Sequence, residues 1–300
     1  MIVPARDILE GRIYLDLRQK AKADGRDPAE YFALYALEGF LRRLSRSAHA
    51  RDFVLKGGVL MAAYAARRPT RDIDLNASGF PNEVKEAEQR VRAIVAQKAD
   101  DGLVFDLSTI QGEIIRDDAD YQGIRVRLAA NLAKAEMRFH VDINFGDPIW
   151  PAPSIVSFPC LLGGVLKMPS YPVCMVLAEK LVTAIERGVA NTRWRDFVDI
   201  AILAQTVSIS DADLYAALEV VAHHRKADLQ PLAKVLVGMA AIAQSRWAVW
   251  RRKQKLEAKT PERFEELVGQ CTAFADPVLD RSSSRGVWLP ENNSWTRLEP

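Results

Sequence analysis

The chain has 300 residues, 49% of them hydrophobic and 27% charged, with a formal net charge of +2. That balance is ordinary for a soluble globular chain, allows one large domain or two modest ones, and leaves recognition of any polyanion to local rather than overall charge. Cys160, Cys174 and Cys271 are too few and too far apart for zinc or a disulfide framework. The start MIVPARDILE lacks a signal pattern, and no apolar run approaches the roughly 18 residues of a membrane helix, so a soluble cytoplasmic protein is expected.

Residues 5–22 and 28–47 read as helices. In the second, Tyr31, Leu34, Leu37, Leu41 and Leu44 recur at three- and four-residue steps. Arg42, Arg43 and Arg46 then fall on another face, which reads as solvated more readily than as a nucleic-acid contact. Phe53-Val54-Leu55 reads as a short buried strand, and Gly57-Gly58 lets the backbone turn tightly beside a ligand. Residues 59–71 then have room for about three helical turns and a return loop, with Pro69 ending the helix, whose N-terminus would face phosphate. Asp72-Ile73-Asp74-Leu75 is the next strand. Period-two alternation sends Asp72 and Asp74 out of one face and Ile73 and Leu75 into the core. Two carboxylates on one face repel unless a cation lies between them, and Mg²⁺, which favours carboxylate and phosphate oxygens, suits that place. Alone, Gly-Gly is more often a turn and D-x-D a solvated strand end. At this spacing they form a nucleotide-and-metal layout.

A helix over 83–98 and short strands over 103–109, 113–116, 124–130 and 137–144 follow, the strands pairing as antiparallel hairpins with polar turns such as Asp117-Asp118. Asp142 lies between Val141 and Ile143, and a carboxylate on a buried strand needs a cation or good donors, although a half-exposed strand edge also accommodates one. Asp147, between Gly146 and Pro148, reads as a turn former and ranks behind Asp142. Residues 150–172 are punctuated by Pro and Gly, carry one or two short strands and lead into a helical half. There VLAEKLVTAIERG, from Val176 and closed by Gly188, puts Leu177, Leu181, Ala184 and Ile185 on a core face with Lys180 at its edge. NTRWRDFVDIAIL, from Asn191, puts Asp196 and Asp199 on one helical face, and Arg195 with Asp199 also reads as a helix-supporting ion pair. Helices over 211–225, 232–255 and 261–274 complete a bundle. Arg246, Arg251, Arg252, Lys253, Lys255 and Lys259 are interleaved with Trp247 and Trp250, a pattern that suits RNA contact and base stacking, and equally the exposed end of a long helix. His223 and His224 read as structural, and the tail from Asp280, through Ser282, Ser284, Trp288 and Trp295, as irregular.

Strand, Gly-Gly, helix and D-x-D on the next strand resembles the DNA polymerase β-like nucleotidyltransferase superfamily. More narrowly, LKGGVL with RPTRDIDL, then AEKLVTA with RWRDFVD, resembles the AbiEii/AbiGii family of nucleotidyltransferase toxins, MenT-like toxins included, over roughly residues 50–205. Arg195 stands where the family commonly has lysine, which keeps the charge. The resemblance implies an α+β fold: a nucleotidyltransferase-type mixed sheet flanked by helices, then a C-terminal helical bundle. Its implied domains are 1–165, with a helical lead-in over 1–50 and a catalytic sheet over 51–150, and a mainly helical 166–300. It makes Asp142 the third acidic residue, holding with Asp72 and Asp74 two Mg²⁺ ions (or Mn²⁺) and helping to orient or deprotonate the acceptor hydroxyl. Gly57 and Gly58 would present N–H groups to the β- and γ-phosphates, with Arg71 and Arg195 as further nucleotide contacts. Lys180 would reach the phosphates across a cleft between the halves, with Asp196 and Asp199 orienting Lys180 or the arginines rather than binding metal. The implied activity is that of a toxin that moves NMP from an NTP, CTP or GTP, onto RNA, for some members the tRNA 3′ end, releasing pyrophosphate. A separately encoded antitoxin, no membrane and a monomeric state complete the expectation. Two other readings keep the same motifs: nucleotidylation of a small molecule such as an aminoglycoside, and a catalytically idle nucleotide binder. Mutually repelling carboxylates and Lys180 have no physical use in the latter.

Overall fold

The computed structural model describes residues 4–64, 67–117, 121–282 and 286–297. Packing divides the chain into two units, Met1–Asp147 with Pro153–Ser170, and Pro148–Ala152 with Tyr171–Pro300. The first is a seven-stranded mixed sheet, ordered β3-β4-β5-β2-β1-β7-β6, with helices packed on it. Its strands are β1 (Phe53–Lys56), β2 (Asp72–Ala77), β3 (Val104–Asp117), β4 (Tyr121–Leu132), β5 (Ala135–Phe145), β6 (Ser154–Pro159) and β7 (Val165–Ser170). β2 runs parallel to β5 and β1 parallel to β7, while the other neighbours are antiparallel.

Register explains why one face of this sheet is apolar. Leu55, Leu75, Ile143 and Ile124 stand side by side across β1, β2, β5 and β4, and all four are buried. Residues one step along each strand therefore project from the opposite face. Helix α1 (Leu9–Ala23) precedes α2 (Pro28–Leu44), which starts where the Asp27 side chain accepts from the Ala29 N–H at 2.9 Å with Pro28 in the first helical turn. Arg43, expected on a solvated face, is buried. It donates from Nη1 and Nη2 to the Asp101 carboxylate at 2.7 and 3.0 Å and lies over the Phe105 ring, so that face of α2 is an internal ion pair.

The helix expected after Gly58 is much shorter than three turns. α3 (Gly57–Leu60) is a single turn, and Met61–Tyr64 tightens into a 3-10 turn. Two glycines at its start weaken the helix. The next helix, α4 (Val84–Val95), buries Ala87, Val91, Ile94 and Val95. The two strands expected over 103–116 are one strand, β3, whose register shifts between Asp106 and Gln111, and the Arg92 guanidinium donates there to the Leu107 and Ile110 carbonyls. That bulge mimics a strand break in sequence. The expected polar turn at 117–118 extends outside the described residues.

The second unit carries α5 (Val173–Arg187), α6 (Trp194–Thr206), α7 (Asp211–Arg225), α8 (Leu232–Val235), α9 (Met239–Lys253) and α10 (Phe264–Leu279). The long helix expected over 232–255 is broken at Gly238, whose φ of +78° interrupts the helical backbone. The tail is not irregular. After the two-residue β8 (Ile209–Ser210), β9 (Gly286–Leu289) and β10 (Ser294–Arg297) form a hairpin in a three-stranded sheet. Trp288 is fully buried and donates from Nε1 to the Ala204 carbonyl at 2.6 Å, while Trp295 stacks on Phe274. Burial of the Trp288 indole and stacking of Trp295 outweigh the Pro, Asn and Ser punctuation that suggested a loop. No helix among the described residues is long and apolar enough to cross a membrane.

Candidate functional site

The polar face of the first sheet carries a row of charges set by strand register. Lys56 on β1 is opposite Asp74 on β2, Asp74 opposite Asp142 on β5, and Asp142 opposite Arg125 on β4. One level along, Asp72 is opposite His140 and His140 opposite Arg127. Asp72 and Asp74 are both half-buried, so the face concentrates carboxylates where water screens them incompletely.

Gly57 makes the close approach to this row possible. Its φ is +69°, and a Cβ there would lie 1.8 Å from Asp74 Oδ2, so both conformation and space require glycine. At Gly58 a Cβ would meet Thr70 Oγ1 at 3.0 Å and Arg68 Nη1 at 3.2 Å, which places the Arg68 guanidinium over the turn. The Gly58 N–H donates to Asp74 Oδ2 at 3.4 Å. That donor, expected to serve phosphate, thus serves a carboxylate in this arrangement, and a one-turn helix supplies little dipole. The Thr70 hydroxyl donates to Asp72. Lys56 Nζ binds Asp147 Oδ2 at 2.6 Å, and Asn76 Nδ2 donates to the Asp147 carbonyl at 3.0 Å. Asp147 is therefore more than a turn former, because its carboxylate holds a buried lysine beside Asp74.

The Asp74 carboxyl is pushed up to about 7, first by burial and then by the Asp72 charge, with Asp142 adding and Lys56 and the Gly58 N–H opposing. Asp72 and Asp74 thus hold excess negative charge that the protein neutralises only in part, which is the donor chemistry that suits an oxygen-seeking divalent cation. Asn76, next on the same face of β2, has a buried Oδ1 with no hydrogen-bond partner among the described residues.

Asp142 is level with Asp74 as sequence reasoning required, but its oxygens are engaged. Arg125 Nε donates to Oδ1 at 2.8 Å and Nη2 to Oδ2 at 2.7 Å, and His140 Nε2 lies 3.7 Å from Oδ2. Among the described residues no three His, Cys, Asp or Glu side chains converge as an ion's ligand set. The Asp72/Asp74 pair fits a cation, whereas Asp142 in this arrangement does not offer a third carboxylate. Arg71, the other residue nominated here, is exposed, and its carbonyl accepts from the His140 N–H at 3.3 Å. Lys56, Arg68, Arg125 and His140 were not among the nominated residues. Period-two counting from Asp142 reaches His140, but Arg125 requires the β4–β5 register, and no turn motif in the sequence sets it.

In the second unit Lys180 on α5 is buried, and its Nζ lies 2.8 Å from Asp196 Oδ1 and 2.8 Å from Asp199 Oδ2 on α6. Arg193 Nε donates to Asp196 Oδ2 at 2.7 Å, and Arg195 is exposed. Burial alone would raise the Asp196 carboxyl, but Lys180 and Arg193 hold it below the ordinary value. Trp247, expected to stack on bases, is instead fully buried, stacks on Trp250 with centroids 5.4 Å apart, and donates to the Pro261 carbonyl at 3.2 Å. Arg251 closes the following loop by donating to Thr260 and Glu257. Arg246, Arg252, Lys253, Lys255 and Lys259 remain exposed.

A family model described as Nucleotidyl transferase AbiEii toxin, Type IV TA system, matches residues 39–270. Among solved structures, JHP933 from Helicobacter pylori aligns with a TM-score of 0.47 at 16% identity, over 82% of this chain and 89% of that one. The Bradyrhizobium diazoefficiens CD-NTase CdnG in complex with GTP aligns at 11% identity over 94% and 95% of the two chains, with a TM-score of 0.22. No curated protein matches the chain.

Proposed function

Because the chain belongs to the AbiEii nucleotidyl transferase toxin family of type IV toxin–antitoxin systems, we propose that it transfers a nucleoside monophosphate from an NTP, CTP or GTP, to an RNA acceptor. We take that acceptor to be the tRNA 3′ end, so that pyrophosphate is released and translation blocked. The observation that carries this reading is the half-buried Asp72/Asp74 pair, with the Asp74 carboxyl pushed up to about 7.

Asp72 and Asp74 are the residues that would hold a divalent ion, Mg²⁺ or Mn²⁺. When bound, such an ion polarises the α-phosphate, activates the acceptor hydroxyl and neutralises the leaving group. The chain's own residues set the electrostatics. Lys56 is fixed by Asp147 beside Asp74 and tempers the charge of the pair, and Thr70 orients Asp72 by its hydroxyl. Gly57 allows the backbone to lie against Asp74, leaving no side chain between it and a ligand. Lys180, held by two carboxylates, is a pre-oriented ammonium suited to a developing phosphate charge. Arg71 and Arg195 are exposed cations proposed as further nucleotide contacts. Neutralisation belongs to a separately encoded antitoxin.

Incubation with total tRNA, each of the four labelled NTPs and Mg²⁺, beside Asp72→Ala, tests this reading. Labelled tRNA is expected with one NTP or a subset, reduced at least about a hundredfold in the variant, the scale on which loss of a charge-stabilising group acts. No label in any RNA would refute the RNA acceptor, and label indifferent to Asp72→Ala would refute the site.

A further inference from the structure

Arg125 stands at the same level of the sheet as Asp74 and Asp142, so the three side chains leave the sheet on one face. It grips Asp142 along one edge of its guanidinium, through Nε and Nη2. A guanidinium has five N–H donors in one rigid plane, and this grip spends only two. Nη1 has no hydrogen-bond partner among the described residues. The Arg125 side chain is 30% exposed and that of Asp142 12%, so the guanidinium is more open to solvent than the carboxylate it grips. Glu113 on β3 stands opposite Arg125, but its carboxylate is engaged by Arg127, two residues along β4, at 2.6 Å.

We infer that Arg125 binds a phosphate of the nucleoside triphosphate, and that Asp142 is a positioning residue that orients this guanidinium. The inference rests on reading the Asp72/Asp74 face as the nucleotide site. A guanidinium clamped on one edge has already lost the rotamer freedom that anion binding would otherwise cost, and its remaining donors match phosphate oxygens in charge and planarity. For Asp142 to serve as a metal ligand it would have to release both bonds to Arg125, leaving an unpaired guanidinium beside a divalent cation.

Titration calorimetry on the full chain, with each of the four NTPs and with sodium tripolyphosphate, tests this for the wild type, Arg125→Gln, Arg125→Lys, Asp142→Asn and the Arg125→Gln/Asp142→Asn double variant. Arg125→Gln is expected to weaken both the bound NTP and tripolyphosphate by about tenfold or more, the loss of one charge-assisted hydrogen bond, and Arg125→Lys to retain part of the affinity. Asp142→Asn should weaken binding less, and the double variant no more than Arg125→Gln alone. Melting temperature separates this from a structural role. Arg125→Gln deprives Asp142 of its bidentate partner and lowers it, whereas the uncharged pair of the double variant restores it without restoring affinity. Arg125→Gln binding within twofold of wild type overturns the inference alone. A double variant about tenfold weaker than Arg125→Gln overturns the positioning role of Asp142. Wild type that binds neither any NTP nor tripolyphosphate overturns the nucleotide reading and this inference together.

Discussion

At Gly57 a single missing carbon sets the distance between the backbone and Asp74. Gly57→Ala forces a left-handed alanine, at about 1–2 kcal/mol, and drives a Cβ into a carboxylate 1.8 Å away. Lower stability in urea and loss of nucleotide transfer are expected together, with Gly58→Ala milder because its closest neighbour, Thr70 Oγ1, lies at 3.0 Å. The Asp74 carboxyl itself makes a pH prediction. Its folded value of about 7 stands above the ordinary 3.8, so between those limits the folded chain binds more protons than the unfolded one. The contribution of this carboxyl to stability then falls as pH rises from about 4 through about 7, the full penalty being present above the folded value. In buffer free of divalent cations the melting temperature should drop by a few degrees across that window, and Asp74→Asn should flatten the slope. Asp72 and Asp74 were legible because alternation along one strand suffices to place them. Lys56 and Arg125 were not, because each meets its carboxylate across a strand boundary whose register the local sequence does not state.

Elements were legible where one periodicity ruled and illegible where tertiary packing overrode it. α7 begins at a Ser210 cap and follows its apolar spacing, whereas the β9–β10 hairpin exists because Trp288 and Trp295 have Phe274 to pack on, information held in a distant helix. The β4–β5 hairpin is the element on which the charged row depends. Leu132 pairs with Ala135 across a two-residue turn in which Ala133 takes φ +50°, a conformation that glycine or asparagine would signal and alanine does not. Ala133→Gly should therefore stabilise the chain by about 0.5–1 kcal/mol, seen as a higher urea midpoint at unchanged slope. Insertion of one residue at that turn should have the opposite effect. A one-residue slip turns Arg125 to the apolar face and abolishes its pairing with Asp142.

Over the whole molecule, the residues of the proposed site fall into two charged constellations, one in each unit: the Asp72–Asp74–Asp142 row with its cations, and Lys180 with Asp196 and Asp199. Both halves of the motif pattern were visible as sequence, since each rests on short-range spacing within one or two elements. In the second constellation Asp199 is fully buried and Lys180 nearly so, and removing the ammonium takes one cationic partner from each of two buried carboxylates. Lys180→Met should cost about 3–5 kcal/mol in urea unfolding, partly regained in Lys180→Met/Asp199→Asn. Inactivity of the single variant thus says little about catalysis unless its fold is measured alongside. The means of measuring it is unevenly distributed. All six tryptophans, at 150, 194, 247, 250, 288 and 295, lie in the second unit and none in the first. Fluorescence excited at the red edge of indole absorption therefore watches the second unit melt and is blind to the sheet that carries Asp72 and Asp74. The Lys180 variants can be followed by intrinsic emission, whereas Gly57→Ala and Asp74→Asn need circular dichroism or an introduced indole to be seen at all.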